Sequence, residues 1–277
     1  MGVFWSIVTA VVYGTADFSG GLATRRERLV VVMFGAHGIG LLGVLIASLW
    51  LADAFTWRDF GLGAAGGLCG LVGVLFFYRR LALGPMQVVA PVSAVAAATT
   101  PALWGVVGGE RLGGLAWLGV ALALLAIVMV SVSGERAAVP VTTTVIAESL
   151  IAGLGFGLFF VFLDATEAAT APWPVTGGRT ATFLLLTVYV LARRERISSD
   201  LGGWGLIAMA GLGDAGANVT FLWALETGDL VAVSVLSSLY PVSTVLLARA
   251  VLGERMTRLQ VGGFVAAMTA TGLIAAG

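Results

Sequence analysis

Ten runs of about twenty mostly apolar residues, separated by short charged stretches, account for most of this 277-residue chain. A helix of that length rises about 30 Å, the thickness of a bilayer's hydrocarbon core. The runs lie roughly at 3–23, 29–50, 60–78, 86–108, 114–133, 145–163, 175–192, 203–224, 230–252 and 259–276. Composition agrees with this pattern. Hydrophobic residues make up 59% and charged residues 11%, against roughly 45–50% and about 25% in soluble domains. The mean hydropathy is +1.02. The expectation is an all-α integral membrane protein with ten transmembrane helices. The loops average about seven residues, too short for a soluble nucleotide-hydrolysing domain, so work must be done inside the bilayer. The apolar start lacks the basic region of a signal peptide and reads as a retained first helix.

The rest of the composition narrows the chemistry. The 15 acids balance 15 bases, and every base is Arg, so a Lys Schiff base is excluded. One Cys (Cys69) and one His (His37) rule out a disulfide framework and a Cys/His metal site. No cofactor, metal, nucleic acid or catalytic set is expected. No series of alternating ten-residue strands appears, which argues against a β-barrel. The 39 glycines suit closely packed membrane helices.

The chain also repeats itself. The most polar mid-chain stretch, 134–144, divides it into halves at 1–134 and 144–277, each with five helices. A shift of 144 places Gly61, Leu62, Ala64, Gly67, Leu68, Phe77, Leu81 and Gly84 on Gly205, Leu206, Ala208, Gly211, Leu212, Phe221, Leu225 and Gly228. It also places Gly109-Glu110-Arg111 on Gly253-Glu254-Arg255, and nine of the 28 positions from 84 to 111 match. Internal repeats are frequent in secondary transporters. Five helices per half is an odd number, so the halves must be inverted in the bilayer. The odd-numbered loops hold 11 Arg and the even-numbered loops three (Arg58, Arg111 and Arg179). By the positive-inside rule this puts both termini outside.

Several stretches resemble the drug/metabolite transporter superfamily in its ten-helix form with two EamA-type repeats. They are Tyr13-Gly14 with Asp17-Phe18, FFYRRLALGPMQVVAPVSA (76–94), GERL (109–112) and the second copy LWALETGDLVAVSVLSSLYPV…GER (222–255). The resemblance implies export of metabolites or drug-like compounds. Many relatives of this type keep both termini in the cytoplasm, opposite to the Arg count.

Ionisable groups inside a span are costly and mark candidate sites. Asp17 lies about 6 Å past the centre of helix 1, and His37 about 4 Å to the same side of the centre of helix 2. Facing one another, they would exchange a proton or form a structural hydrogen bond. Asp214 lies near the centre of helix 8 with Asn218 one turn on, on the same face. That pair would take a proton or a cationic group, or else join two helices. Asp164, beside Glu167, reads as an interfacial acid, and Glu148 as a partner of the helix 6 N-terminal dipole. The two Gly-Glu-Arg segments read as gates or, more simply, as helix ends with a Glu–Arg pair. Pro91 and Pro101 are expected to interrupt helix 4, and Pro241 helix 9. Interruptions in corresponding helices point to a transporter site. Ser93 aligns with Ser237 and Thr100 with Thr244, and Tyr240 adds a deep aromatic ring, as do Tyr13, Trp104 and Trp223. Trp5, Trp50, Trp57, Trp173 and Trp204 read as interfacial belts.

The expected function is a secondary transporter of a small organic solute, working by alternating access, with protons as the candidate coupling ion and the lipid bilayer as its surroundings. A lipid-modifying membrane enzyme is the first alternative, disfavoured because the acids are scattered. A channel is the second, disfavoured because no charged ring or filter loop is visible. The Ala/Gly/Val/Arg bias points to a bacterial inner membrane.

Overall fold

The structure is a computed structural model, and it describes residues 1–83, 86–131, 142–195, 201–253 and 256–277. Among these residues all regular structure is helical. The helices are α1 (Gly2–Thr24), α2 (Leu29–Leu51), α3 (Trp57–Leu83), α4 (Met86–Val107), α5 (Gly114–Ser131), α6 (Thr143–Asp164), α7 (Trp173–Arg193), α8 (Leu201–Leu225), α9 (Leu230–Ser237), α10 (Tyr240–Leu252) and α11 (Arg258–Ala276). A single 3-10 turn, Ala168–Thr170, precedes α7.

Eight stretches among the described residues are long and apolar enough to cross a membrane, and Val92–Val107 is a shorter apolar helix. The expectation of ten is met in part. The 23-residue α1 is not among the eight, because Ser6, Thr9, Tyr13, Thr15, Asp17 and Ser19 dilute its apolar character. The ninth span is broken between α9 and α10. Pro241, in the first turn of α10, has no N–H to carry the hydrogen-bond ladder across. In contrast, α4 runs unbroken through Pro91 and Pro101, so the expected interruption there is not found.

Large apolar side chains cover the outside. Leu42, Leu49, Val188, Leu191 and Met268 are each more than 60% exposed, which suits lipid and not water. Trp50 and Trp57 are exposed at one end, where Phe55 meets Trp57 and Trp173 edge-on at 4.9 Å. This is the expected aromatic belt. Trp104, expected to be deep, is 56% exposed on the outer face. Trp5, expected in the belt, packs on Trp223 at 4.9 Å.

The two halves interlock, and the main contacts between them come in counterpart pairs. The first helix of each half packs on the third of the other, α1 on α8 and α6 on α3. The second does likewise, α2 on α8 and α7 on α3. The fourth follows suit, α4 on α6 and α9–α10 on α1, while α2 meets α7 and α5 meets α11. Glycine makes these crossings close. A Cβ at Gly63 or Gly177 would overlap the carbonyl of Pro174 or Phe60 respectively. Successive helices α1 and α2 touch only slightly, so chain order is a poor guide to neighbours here.

The bundle has an Arg-rich end, with Arg25, Arg26, Arg28, Arg193, Arg194 and Arg258, and an Arg-poor end. The Arg-poor end is laced shut. Asp59, wholly buried, accepts from the Glu167 N–H at 3.0 Å and the Thr170 hydroxyl at 2.8 Å. Glu110 accepts from the Leu230 and Val231 N–H groups at 2.8 and 2.9 Å, capping α9 from the other half of the chain. Its partner is therefore a helix N-terminus, a favourable place for an acid. Gly109 supplies the positive φ (98°) expected of a terminator. In the second copy Gly253 does the same at 69°, while Glu254 and Arg255 lie outside the described residues. Glu148 does not sit at a helix start. Thr142 caps α6, and Glu148 is buried further along the helix. Asp164 is exposed at the end of α6, as expected of an interfacial acid.

Candidate functional site

A cavity of about 280 Å³ lies among α1, α2, α3, α4, α6, α7, α8 and the break at the start of α10. It runs from Tyr13, Phe160 and Asn218 at mid-bundle to Gly20, Leu29 and Phe77 towards the Arg-rich end. Helical spacing sets its polar wall. Tyr13 and Asp17 are one turn apart on α1, Met33 and His37 on α2, and Asp214 and Asn218 on α8. Ala16 and Gly213 allow α1 and α8 to approach closely.

Of the residues expected from sequence, Asp17, His37, Asp214, Asn218 and Tyr240 all line this cavity. The expected Asp17–His37 hydrogen bond is absent among the described contacts. His37 instead donates from Nδ1 to the Met33 carbonyl at 2.9 Å, which leaves Nε2 as its second polar atom. The reason is the slight contact between α1 and α2. Asp17 is exposed to the cavity and makes no hydrogen bond or ion pair among the described residues. Asp214 is already committed, because its carboxylate pairs with the guanidinium of Arg179. Asn218 donates to the Asp214 carbonyl at 2.7 Å and accepts from the Tyr13 hydroxyl. A single network thus ties α1, α7 and α8 together.

Arg179 corrects the sequence reading. It was counted with the loops, but it lies within α7, and its side chain is 7% exposed against 39% for Asp214. The signal was available, since position 179 falls four residues inside an apolar run. An intramembrane base deserves the same attention as an acid. Without Arg179, the Arg-poor loops keep only Arg58 and Arg111.

The remaining residues divide. Ser93 is buried and donates to the Val89 carbonyl at 2.8 Å. Thr100 donates to the Ala96 carbonyl at 2.7 Å and meets Gly157. Neither lines the cavity. Pro91 falls within α4, and its side chain lies outside the described residues. At the helix break, Ser238 lines the cavity in place of the expected Ser237. Phe156, Phe159 and Phe160 form an aromatic wall that the sequence reading did not single out. Tyr13 lies 6.3 Å from Phe160 and 6.2 Å from Tyr240 between ring centres.

The arrangement offers an aromatic-walled pocket, one uncommitted carboxylate and one ion pair, inside a helical bundle. No protein of curated description matches the chain. A solved crystal structure of another protein superposes on 98% of this chain and 95% of its own, with a TM-score of 0.81 at 18% sequence identity. That likeness concerns the fold. Residues 144–276 match the model of the EamA-like transporter family. That match covers just under half of the chain, its second half, and is consistent with an EamA-type transporter of the drug/metabolite transporter superfamily.

Proposed function

We propose that the protein is a secondary transporter that moves a small organic solute through this cavity by alternating access. The observation that carries the reading is a largely apolar cavity with a few ionisable groups inside the bundle, reaching towards one end, while the other end is laced shut. Its volume of about 280 Å³ is at the small end of ligand pockets, about 300–1,000 Å³. The halves 1–134 and 144–277 would be two inverted five-helix repeats that rock about the site. The reciprocal packing of their helices supports this. The Arg-rich end would face the cytoplasm by the positive-inside rule, in a bacterial inner membrane. The cavity then faces inward, as loading for export requires. The closure made by Glu110 on α9 disfavours a continuous channel.

Asp17 is the residue for coupling, since Asp214 is neutralised by Arg179 and Asp17, on the cavity wall, has no hydrogen bond or ion pair among the described residues. A proton and a positively charged part of the solute would compete for it, with His37 across the cavity as the second titratable group. The test is a thermal-unfolding screen of the purified protein against amino acids, amines, sugars and nucleosides at pH 6 and 8. A bound solute at 100 times its Kd stabilises the native state by about 2.7 kcal/mol. The expected result is a hit whose stabilisation differs between the two pH values, and Asp17→Asn removes that difference. A pH difference that survives in Asp17→Asn takes Asp17 out of the coupling step.

A further inference from the structure

We propose that the break between α9 and α10 is a binding site for a monovalent hard cation of the sodium type, distinct from the organic-solute site. The inference starts from two side chains. Ser237 and Ser238 are 1% and 2% exposed, and neither hydroxyl has a hydrogen-bond partner among the described residues. A buried hydroxyl without a partner carries a desolvation cost of about 1–3 kcal/mol. Two adjacent ones at the single break in the ninth span call for a ligand.

The backbone adds two more oxygens. The Ser237 carbonyl would ordinarily accept from the N–H four residues on, but that residue is Pro241, which has none. The Ser238 carbonyl would accept from Val242, whose N–H goes to the Leu239 carbonyl instead, at 2.9 Å. Two hydroxyl and two carbonyl oxygens therefore belong to consecutive residues at the C-terminus of α9. A helix C-terminus carries partial negative charge and favours a cation. In transporters, freed carbonyls at broken helices are suited to hold coupling ions.

The chemistry selects the ion. The two carbonyl oxygens accept and do not donate, so beside an anion they would be repulsive, whereas all four oxygens can face a cation. All four oxygens are neutral, whereas calcium sites draw on several carboxylates, so a doubly charged ion is poorly offset. The site is reachable, because Ser238 lines the cavity. The cavity also favours positive charge, with the carboxylates of Asp17 and Asp214 facing the one guanidinium of Arg179.

The experiment is thermal unfolding of the full-length protein in detergent with no solute present. Sodium chloride is titrated against caesium chloride, a larger inorganic cation, at constant ionic strength, with potassium and calcium chloride as further arms. Sodium should raise the apparent Tm saturably, by about 3 °C, and caesium should not. The Ser237→Ala, Ser238→Ala double variant should lose the sodium increment yet unfold in caesium chloride no earlier than the native protein, since it sheds two unpartnered hydroxyls. Pro241→Ala restores an N–H for the Ser237 carbonyl and should weaken the increment with both hydroxyls intact. Equal Tm in sodium and caesium overturns the proposal and leaves the four oxygens to water. A sodium increment that persists in the double variant overturns it too, by placing the ion elsewhere. Neither result bears on the organic-solute screen, which is run in caesium chloride throughout.

Discussion

Asp214→Asn is expected to lower stability by about 3 kcal/mol, because it leaves the Arg179 guanidinium inside the bundle without a counter-ion. Removing one partner of a buried pair costs about 3–5 kcal/mol. The lower figure applies here because the Asp214 side chain is 39% exposed to the cavity, where water relieves part of the cost. For a chain of this size the loss corresponds to roughly 6–12 °C in Tm. Asn218 would not compensate, since it is bonded to the Asp214 backbone and to Tyr13. The double variant Arg179→Gln, Asp214→Asn replaces the ion pair by a neutral hydrogen-bonded one, and should regain stability to within about 1 kcal/mol of the native protein. Thermal unfolding of the single and double variants measures both numbers. An Asp214→Asn protein that unfolds at the native temperature would show that Arg179 does not depend on this carboxylate.

Gly63→Ala should be the more damaging change, although it adds only a methyl group. In an exposed helix, Ala for Gly is favourable by about 1 kcal/mol. At position 63, however, the new Cβ would overlap the Pro174 carbonyl. Backbone cannot swing aside as a long side chain can. Helices α3 and α7 would have to separate, losing the close approach that Gly67 and Gly178 continue one turn further on. Overpacking typically costs about 1–3 kcal/mol, and here, where the obstacle is backbone, the expected cost is at or above the upper end of that range. Folded yield on size-exclusion chromatography should fall at least tenfold. Gly61→Ala is the control, since nothing lies within 4 Å of its added Cβ. It should leave the yield unchanged. Equal yields for the two variants would mean that the crossing of α3 and α7 has slack.

These two predictions draw on different levels of information. Asp214 stood out in the sequence because an acid within twenty apolar residues is costly wherever its helix packs. The same holds for Asp17 and His37, and all three line the cavity. Arg179 carries the same signal, since it falls inside an apolar run and not in a loop. That Arg179 faces Asp214, leaving Asp17 uncommitted, could not be read from spacing, because it depends on the rotation of α7 against α8. Gly63 was one of 39 glycines, and only the crossing with α7 sets it apart from Gly61.

Apolar length and charge placement determined that the chain is a membrane bundle, because lipid solvation acts on each segment separately. The repeated Gly-Glu-Arg register and the family resemblance were likewise local properties. The tertiary structure decided which helices are neighbours. It set α1 against α8 and not α2, turned Glu110 onto the start of α9, and left the Ser237 and Ser238 hydroxyls unpartnered at a break. Partners 120 or more residues apart are chosen by close packing of whole helix faces, and no local pattern encodes that choice.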